Sequence, residues 1–95
     1  TIIMHDAIVN ANASIGLNCI INNKALIEHD AKIANNCHVS TGAIINGGSI
    51  INDNCFIGSG SVIREEIEIG SNCVISASSF VRKNINPNLV IKNDG

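Results

Sequence analysis

Ninety-five residues allow one small domain, and a net charge of −2 with six scattered basic residues leaves no footprint for nucleic acid. Hydrophobic residues make up 45% of the chain and aromatic residues only 2%, with fifteen asparagines, a single proline and no tryptophan or tyrosine. That blend of β-branched residues and turn-formers predicts many short strands joined by tight corners. No apolar run approaches the roughly 20 residues of a membrane-spanning helix, and no signal-peptide layout is present, so no membrane partner is expected.

Along the chain, Ile or Val recurs every six residues, at Ile3, Val9, Ile15, Ile21, Ile27, Ile33, Val39, Ile45, Ile51, Ile57, Ile63, Ile69, Ile75 and Val81. Four places after each comes a small residue, from Ala7 and Ala13 through to Ser79, broken only by Ile67 and Ile85. The place before that small residue is mostly Asn, Asp or Gly, the types that best tolerate a left-handed backbone at a sharp corner. Period six fits neither an α-helix nor a long flat strand. It predicts an all-β, left-handed parallel β-helix of about five 18-residue coils, each stacked ~4.8 Å above the last. Pro87 falls on the beat and is expected to end the pattern, giving coils over 1–88 and a tail over 89–95. A first residue of Thr1 rather than Met is what a piece of a longer protein would show.

Alternation along each side places the columns. Ala25 points in, Leu26 out, Ile27 in and Glu28 out, and His29 with Asp30 turns the corner. Cys19, Cys37, Cys55 and Cys73 recur every 18 residues in the inward small place. Stacked parallel side chains hold their Cβ atoms too far apart for a relaxed disulfide, and no CxxC spacing exists for metal. Packed, reduced thiols are expected, as in a cytoplasmic protein. The outward residues form three faces. One carries Ile8, Leu26, Ile44, Val62 and Phe80; a second carries Ile20, His38, Phe56 and Val74; the third is polar, with Ser14, Lys32, Ile50, Glu68 and Asn86. Two apolar faces on a three-sided prism call for cover, and a homotrimer closed by the first face of each chain on the second face of the next supplies it.

Of the three histidines, His5 is expected to be a surface residue of the first coil. His29 is followed by Asp30 on the corner between the Leu26 face and the polar face, while His38 points out of the opposite face. A solvated polar pair and a buried interface histidine are the plain explanations. In a ring of three, however, His29 of one chain approaches the second face of its neighbour, and the two imidazoles share a cleft with Asp30 at hand to orient one of them as a general base. A zinc carbonic anhydrase on this fold needs three histidine ligands, two of them five residues apart, whereas His29 and His38 are nine apart. A non-catalytic structural or binding β-helix with an idle His corner is the alternative to an enzyme.

The run Ile27-Glu28-His29-Asp30-Ala31, followed by Asn36-Cys37-His38-Val39-Ser40-Thr41-Gly42-Ala43, resembles the sugar acyltransferases of the sialic-acid O-acetyltransferase and bacillosamine N-acetyltransferase type. The resemblance continues through Asn54-Cys55-Phe56-Ile57-Gly58-Ser59-Gly60-Ser61-Val62 and Ile69-Gly70-Ser71-Asn72, over about residues 3 to 91. It implies transfer of acetyl from acetyl-CoA to an amino or hydroxyl group of a sugar or nucleotide-activated sugar. It further implies His29 as base, Asp30 as its orienting acid, and His38 as a contact to acetyl-CoA held by a neighbouring chain. By the same resemblance the Gly47 N–H lies near the thioester carbonyl, and Ser59 and Ala77 line the cofactor groove. Departures are visible too. The family usually carries an N-terminal nucleotide-sugar-binding α/β domain, has Gly-Ala-Gly where this chain has Ser76-Ala77-Ser78, and commonly has Gly-x-Pro-Ala where this chain has Asn93-Asp94-Gly95.

Overall fold

The computed structural model describes residues 1–92. Fifteen two-residue strands, from Ile2–Ile3 to Val90–Ile91, wind into five three-sided coils and form three parallel sheets, one per side. Each strand pairs with its counterpart one coil on: Ile27 with Ile45, Val39 with Ile57, Ile33 with Ile51. This is the parallel β-helix that the period of six predicts. No helix among the described residues is long and apolar enough to cross a membrane.

The inward Ile and Val columns account for the fold's cohesion. Ile21, Ile27, Ile45, Ile51, Ile57, Ile63, Ile69 and Ile75 have no solvent exposure. A buried isoleucine contributes about 1.5–3 kcal/mol relative to an exposed one, and among the described residues no other apolar core exists to substitute for these columns. Branched side chains suit the place because they pack on copies of themselves in the coils above and below.

Each corner is a four-residue turn, as where Ala25 N–H donates to Asn22 O at 3.2 Å with Lys24 at φ 59° between them. The second corner residue is left-handed in every full corner, from Asp6 to Ser78. Asn, Asp and Gly fill most of these places, and Lys24, Glu66 and Ser78 adopt the same conformation at a cost of about 1–2 kcal/mol each.

The end of the chain differs from expectation. Ile69 bridges Ile85 and Ile75 pairs with Ile91, sixteen residues on rather than eighteen. Two residues are missing from the corner at Arg82–Asn84, so Ile85 takes the large inward place instead of breaking the small column. Asn84 rather than Asn86 then stacks over Glu68, and its Oδ1 accepts from Glu68 N–H at 2.9 Å. Pro87 does not end the coils. It stands first in a corner whose second residue, Asn88, has φ 65°, a turn in which proline at the preceding place is favoured. Strand pairing therefore runs past the expected boundary at 88 to Ile91. Residues 93–95, the rest of the expected tail, lie outside the described residues.

The four cysteines are free and buried. Each thiol donates to a main-chain carbonyl of the next coil: Cys19 to Ala34 O at 2.9 Å, Cys37 to Asn52 O at 3.0 Å, Cys55 to Gly70 O and Cys73 to Asn86 O, both at 3.1 Å. The neighbouring Cys55 thiol and then burial hold the Cys37 thiol far above its ordinary pKa, which keeps it protonated and donating. Ser49 and Ser61 make the same bond, to Arg64 O at 2.6 Å and Ser76 O at 2.7 Å. The inward small place thus accepts either a thiol or a hydroxyl. Cys37→Ala is expected to cost about 1–2 kcal/mol through lost packing and an orphaned carbonyl. Cys37→Ser is expected to cost less than half of that. Denaturant unfolding of both variants decides it, and equal losses would show that the thiol hydrogen bond contributes nothing.

Candidate functional site

His29 is the first residue of the corner between the Leu26 face and the polar face, and Asp30 is the second. The left-handed backbone at Asp30, φ 62°, turns its carboxylate back toward the preceding ring. Asp30 Oδ2 lies 3.2 Å from His29 Nδ1. A carboxylate can only accept, so Nδ1 carries the proton, and in the neutral ring Nε2 presents a lone pair. The pair is open to solvent, with side chains 68% and 60% exposed.

What lies over the ring decides its position. A Cβ placed on Gly47, one coil above, would sit 2.7 Å from both Cε1 and Nε2 of His29. The imidazole therefore lies against bare backbone, and any side chain at 47 would displace it. Gly48 N–H donates to His29 O at 3.0 Å and anchors the two corners together. His5 with Asp6 repeats the dipeptide at a looser 3.7 Å, but it faces Asn23 rather than a glycine, consistent with a surface role.

Around His29 the edge is concave, forming an open groove of about 600 Å³ lined by Glu28, His29, Asp30, Asn46, Gly47, Gly48, Glu65 and Glu66. Asn10 Nδ2 holds Glu28 Oε1 at 2.8 Å. The Glu65 backbone N–H and the Arg64 guanidinium, 3.3 Å away, hold the Glu65 carboxyl below its usual range. Residue type alone does not single out Glu28, Asn46, Glu65 and Glu66 in the sequence. They were findable by column, since Glu28, Asn46 and Arg64 share one place in successive coils, and Glu65 and Glu66 stand two coils above His29 and Asp30.

The remaining candidates lie elsewhere on the prism. His38 is half-buried on the opposite face, its ring edge-on to Phe56 with centroids 5.2 Å apart. Ser59 and Ala77 stand on a third line, the corner between the His38 face and the Leu26 face. Ser59 Oγ is 3.0 Å from Ser40 Oγ, and a Cβ on Gly58 would meet Ala77 N at 2.5 Å. One chain thus brings His29, Asp30 and Gly47 together, and leaves His38, Ser59 and Ala77 on other sides of the same solenoid.

Residues 48–83 match the bacterial transferase hexapeptide (six repeats). No curated protein matches the sequence. Among solved structures, the acetyltransferase domain of PglB from Neisseria gonorrhoeae FA1090 superposes with a TM-score of 0.83 at 25% identity, over 93% of this chain and 52% of that one. The same domain in complex with acetyl coenzyme A gives 0.53 at 19% identity, over 94% and 46%. A variant of perosamine N-acetyltransferase from Caulobacter crescentus, in complex with CoA and GDP-perosamine, gives 0.57 at 19%, over 96% and 47%. The chain spans about half the length of these structures. The two weaker likenesses are of fold alone.

The contact between His29 and Gly47 is directly testable. Gly47→Ala is expected to push the imidazole off the edge and break its bond to Asp30, while unfolding stability falls by less than about 1 kcal/mol because the corner is exposed. The imidazole NMR signals of His29 report the change. Unaltered signals would mean that the ring does not rest on Gly47.

Proposed function

We propose that this chain is the acyl-transfer part of a sugar acetyltransferase, moving acetyl from acetyl-CoA to an amino or hydroxyl group of a sugar or nucleotide-linked sugar. The observation that carries this reading is the His29 imidazole, oriented by Asp30 through Nδ1 and laid on Gly47 with Nε2 facing an open groove. The PglB acetyltransferase domain, similar over 93% of this chain, supports the activity, and the complexes of that domain with acetyl coenzyme A and of perosamine N-acetyltransferase with CoA and GDP-perosamine support the donor and acceptor classes.

The chemistry follows from the groups present. His29 Nε2 takes the proton as the acceptor nitrogen or oxygen bonds to the thioester carbonyl carbon, and the carbonyl oxygen becomes an oxyanion. The Gly47 N–H makes no bond to another residue among the described ones and is free to meet that oxyanion. Collapse breaks the C–S bond, and the departing CoA sulfur recovers the proton from His29. Attack is direct, because all four thiols are buried and bonded inside the core and none reaches the groove. Removing a positioned base costs about 10²–10⁴ in rate.

His38, Ser59 and Ala77 join the site only if a second chain supplies them. Leu26, Ile44 and Val62 stay half-buried and Phe80 is 56% exposed on one face, with Ile20, Phe56 and Val74 on the other. A homotrimer that lays the first face on the neighbour's second covers both, and carries the neighbour's His38 to the His29 edge. Acetyl-CoA then lies in the cleft between chains, against His38, Ser59 and Ala77.

His29→Ala is expected to lower kcat for transfer to an amino sugar or its nucleotide by about 10²–10⁴ with the fold intact, and Asp30→Asn by less. Release of the CoA thiol measures it, and near wild-type turnover by His29→Ala would overturn the base assignment. Ile44→Lys with Val62→Lys is expected to dissociate the assembly, because a buried unpaired charge is expensive; a wild-type chain that sediments as a monomer at micromolar concentration removes the trimer from the proposal. Mixing inactive His29→Ala chains with His38→Ala chains is expected to restore part of the activity, since a mixed ring assembles one cleft with both histidines. Absence of rescue with subunit exchange demonstrated would show that no site is shared between chains.

A further inference from the structure

The Asn22 side chain stands at the end of the strand below His38, where it contacts two groups at once. Its Oδ1 accepts from Asn23 N–H at 2.7 Å. An N–H can only meet the oxygen of an amide, so this short bond settles which way the carboxamide points. The amide nitrogen is thereby turned toward His38, with Nδ2 3.4 Å from His38 Nε2. Nδ2 carries only protons and no lone pair, so Nε2 must be the acceptor. A neutral imidazole that accepts at one nitrogen carries its proton on the other. Phe56 lies edge-on to the same ring and limits its rotation.

We infer that Asn22 is a positioning residue that holds His38 as the Nδ1–H tautomer, making His38 a hydrogen-bond donor rather than a second base. Both histidines then carry the proton on Nδ1, for opposite ends. Asp30 occupies the Nδ1–H of His29 and leaves a lone pair at Nε2; Asn22 occupies the lone pair of His38 and leaves an N–H at Nδ1. A free N–H on an apolar face suits a carbonyl oxygen, and the group of that kind in the proposed reaction is on the acyl donor, either the thioester or an amide of the pantetheine arm. This last step rests on the proposed function; the tautomer does not.

The test is long-range nitrogen–proton NMR of the imidazoles in the unliganded protein at a pH where they are neutral. His38 is expected to show a protonated Nδ1 and a bare Nε2. Asn22→Ala is expected to return His38 toward the Nε2–H form that free histidine prefers. Asn22→Asp, which keeps an acceptor for Asn23 N–H and so protects the corner, is expected to place a proton on Nε2. Wild-type His38 protonated at Nε2, or identical patterns in all three proteins, overturns the inference whatever the enzyme does. In turnover, Asn22→Asp is expected to raise the KM for acetyl-CoA roughly three- to tenfold, the worth of one hydrogen bond, with the KM for the acceptor unchanged. If the tautomer shifts as expected and the KM for acetyl-CoA does not, Asn22 still sets the ring and the donor contact of His38 is what fails.

Discussion

Every coil of this solenoid rests on the one below through side chains of the same kind in the same place. The inward Ile and Val columns touch copies of themselves, and the strands' backbone hydrogen bonds run between coils, with only the corner turns bonded within one. A long helix or a sandwich distributes its core over many kinds of contact, but here one contact is repeated. The chemistry at any point is therefore set by what occupies the same place one coil up and one coil down. A residue on a corner has a floor and a ceiling, and both can be named from the chain.

The His29 edge shows what this constraint allows. An imidazole on an exposed corner would ordinarily be free to rotate, and its charge partner would contribute little in open solvent. Stacking supplies what burial does not: glycine above it lets the ring lie flat on backbone, and the left-handed Asp30 holds one nitrogen. The site is built from local turn geometry and one missing Cβ. The two histidines differ in what is held at each ring, because the residues beside them differ. Asp30 supplies an acceptor to one ring, and Asn22, locked by the next backbone N–H, supplies a donor to the other.

The last coil shows how the columns tolerate an interruption. Losing two residues from one corner leaves the large inward place filled by Ile85 and Ile91, because the columns demand an isoleucine and the corner does not demand its length. Proline is accommodated where the turn wants its φ. The polar concavity around Asn52, Glu68, Asn84 and Pro87 is the surface trace of that shortening.

The sequence by itself determined the coil and its period, and up to Val81 the inward columns, the left-handed corners and the membership of each face, since all of these follow from a strict repeat read at six and eighteen. It also placed His29 and Asp30 together on one edge. Three things needed the tertiary structure. The register change after Val81 was invisible because Pro87 sits on the beat of six while the chain had already shortened by two. The close approach of Gly47 to the His29 ring was not legible because glycine has several uses at a corner and only the stacking of the coils shows which one applies. The orientation of the Asn22 amide, and with it the tautomer of His38, depends on a single bond to the backbone of the next residue, a contact no periodicity encodes. Repetition made the scaffold readable in one dimension; the site depends on which pairs of coils bring unlike residues together, and that is decided in three.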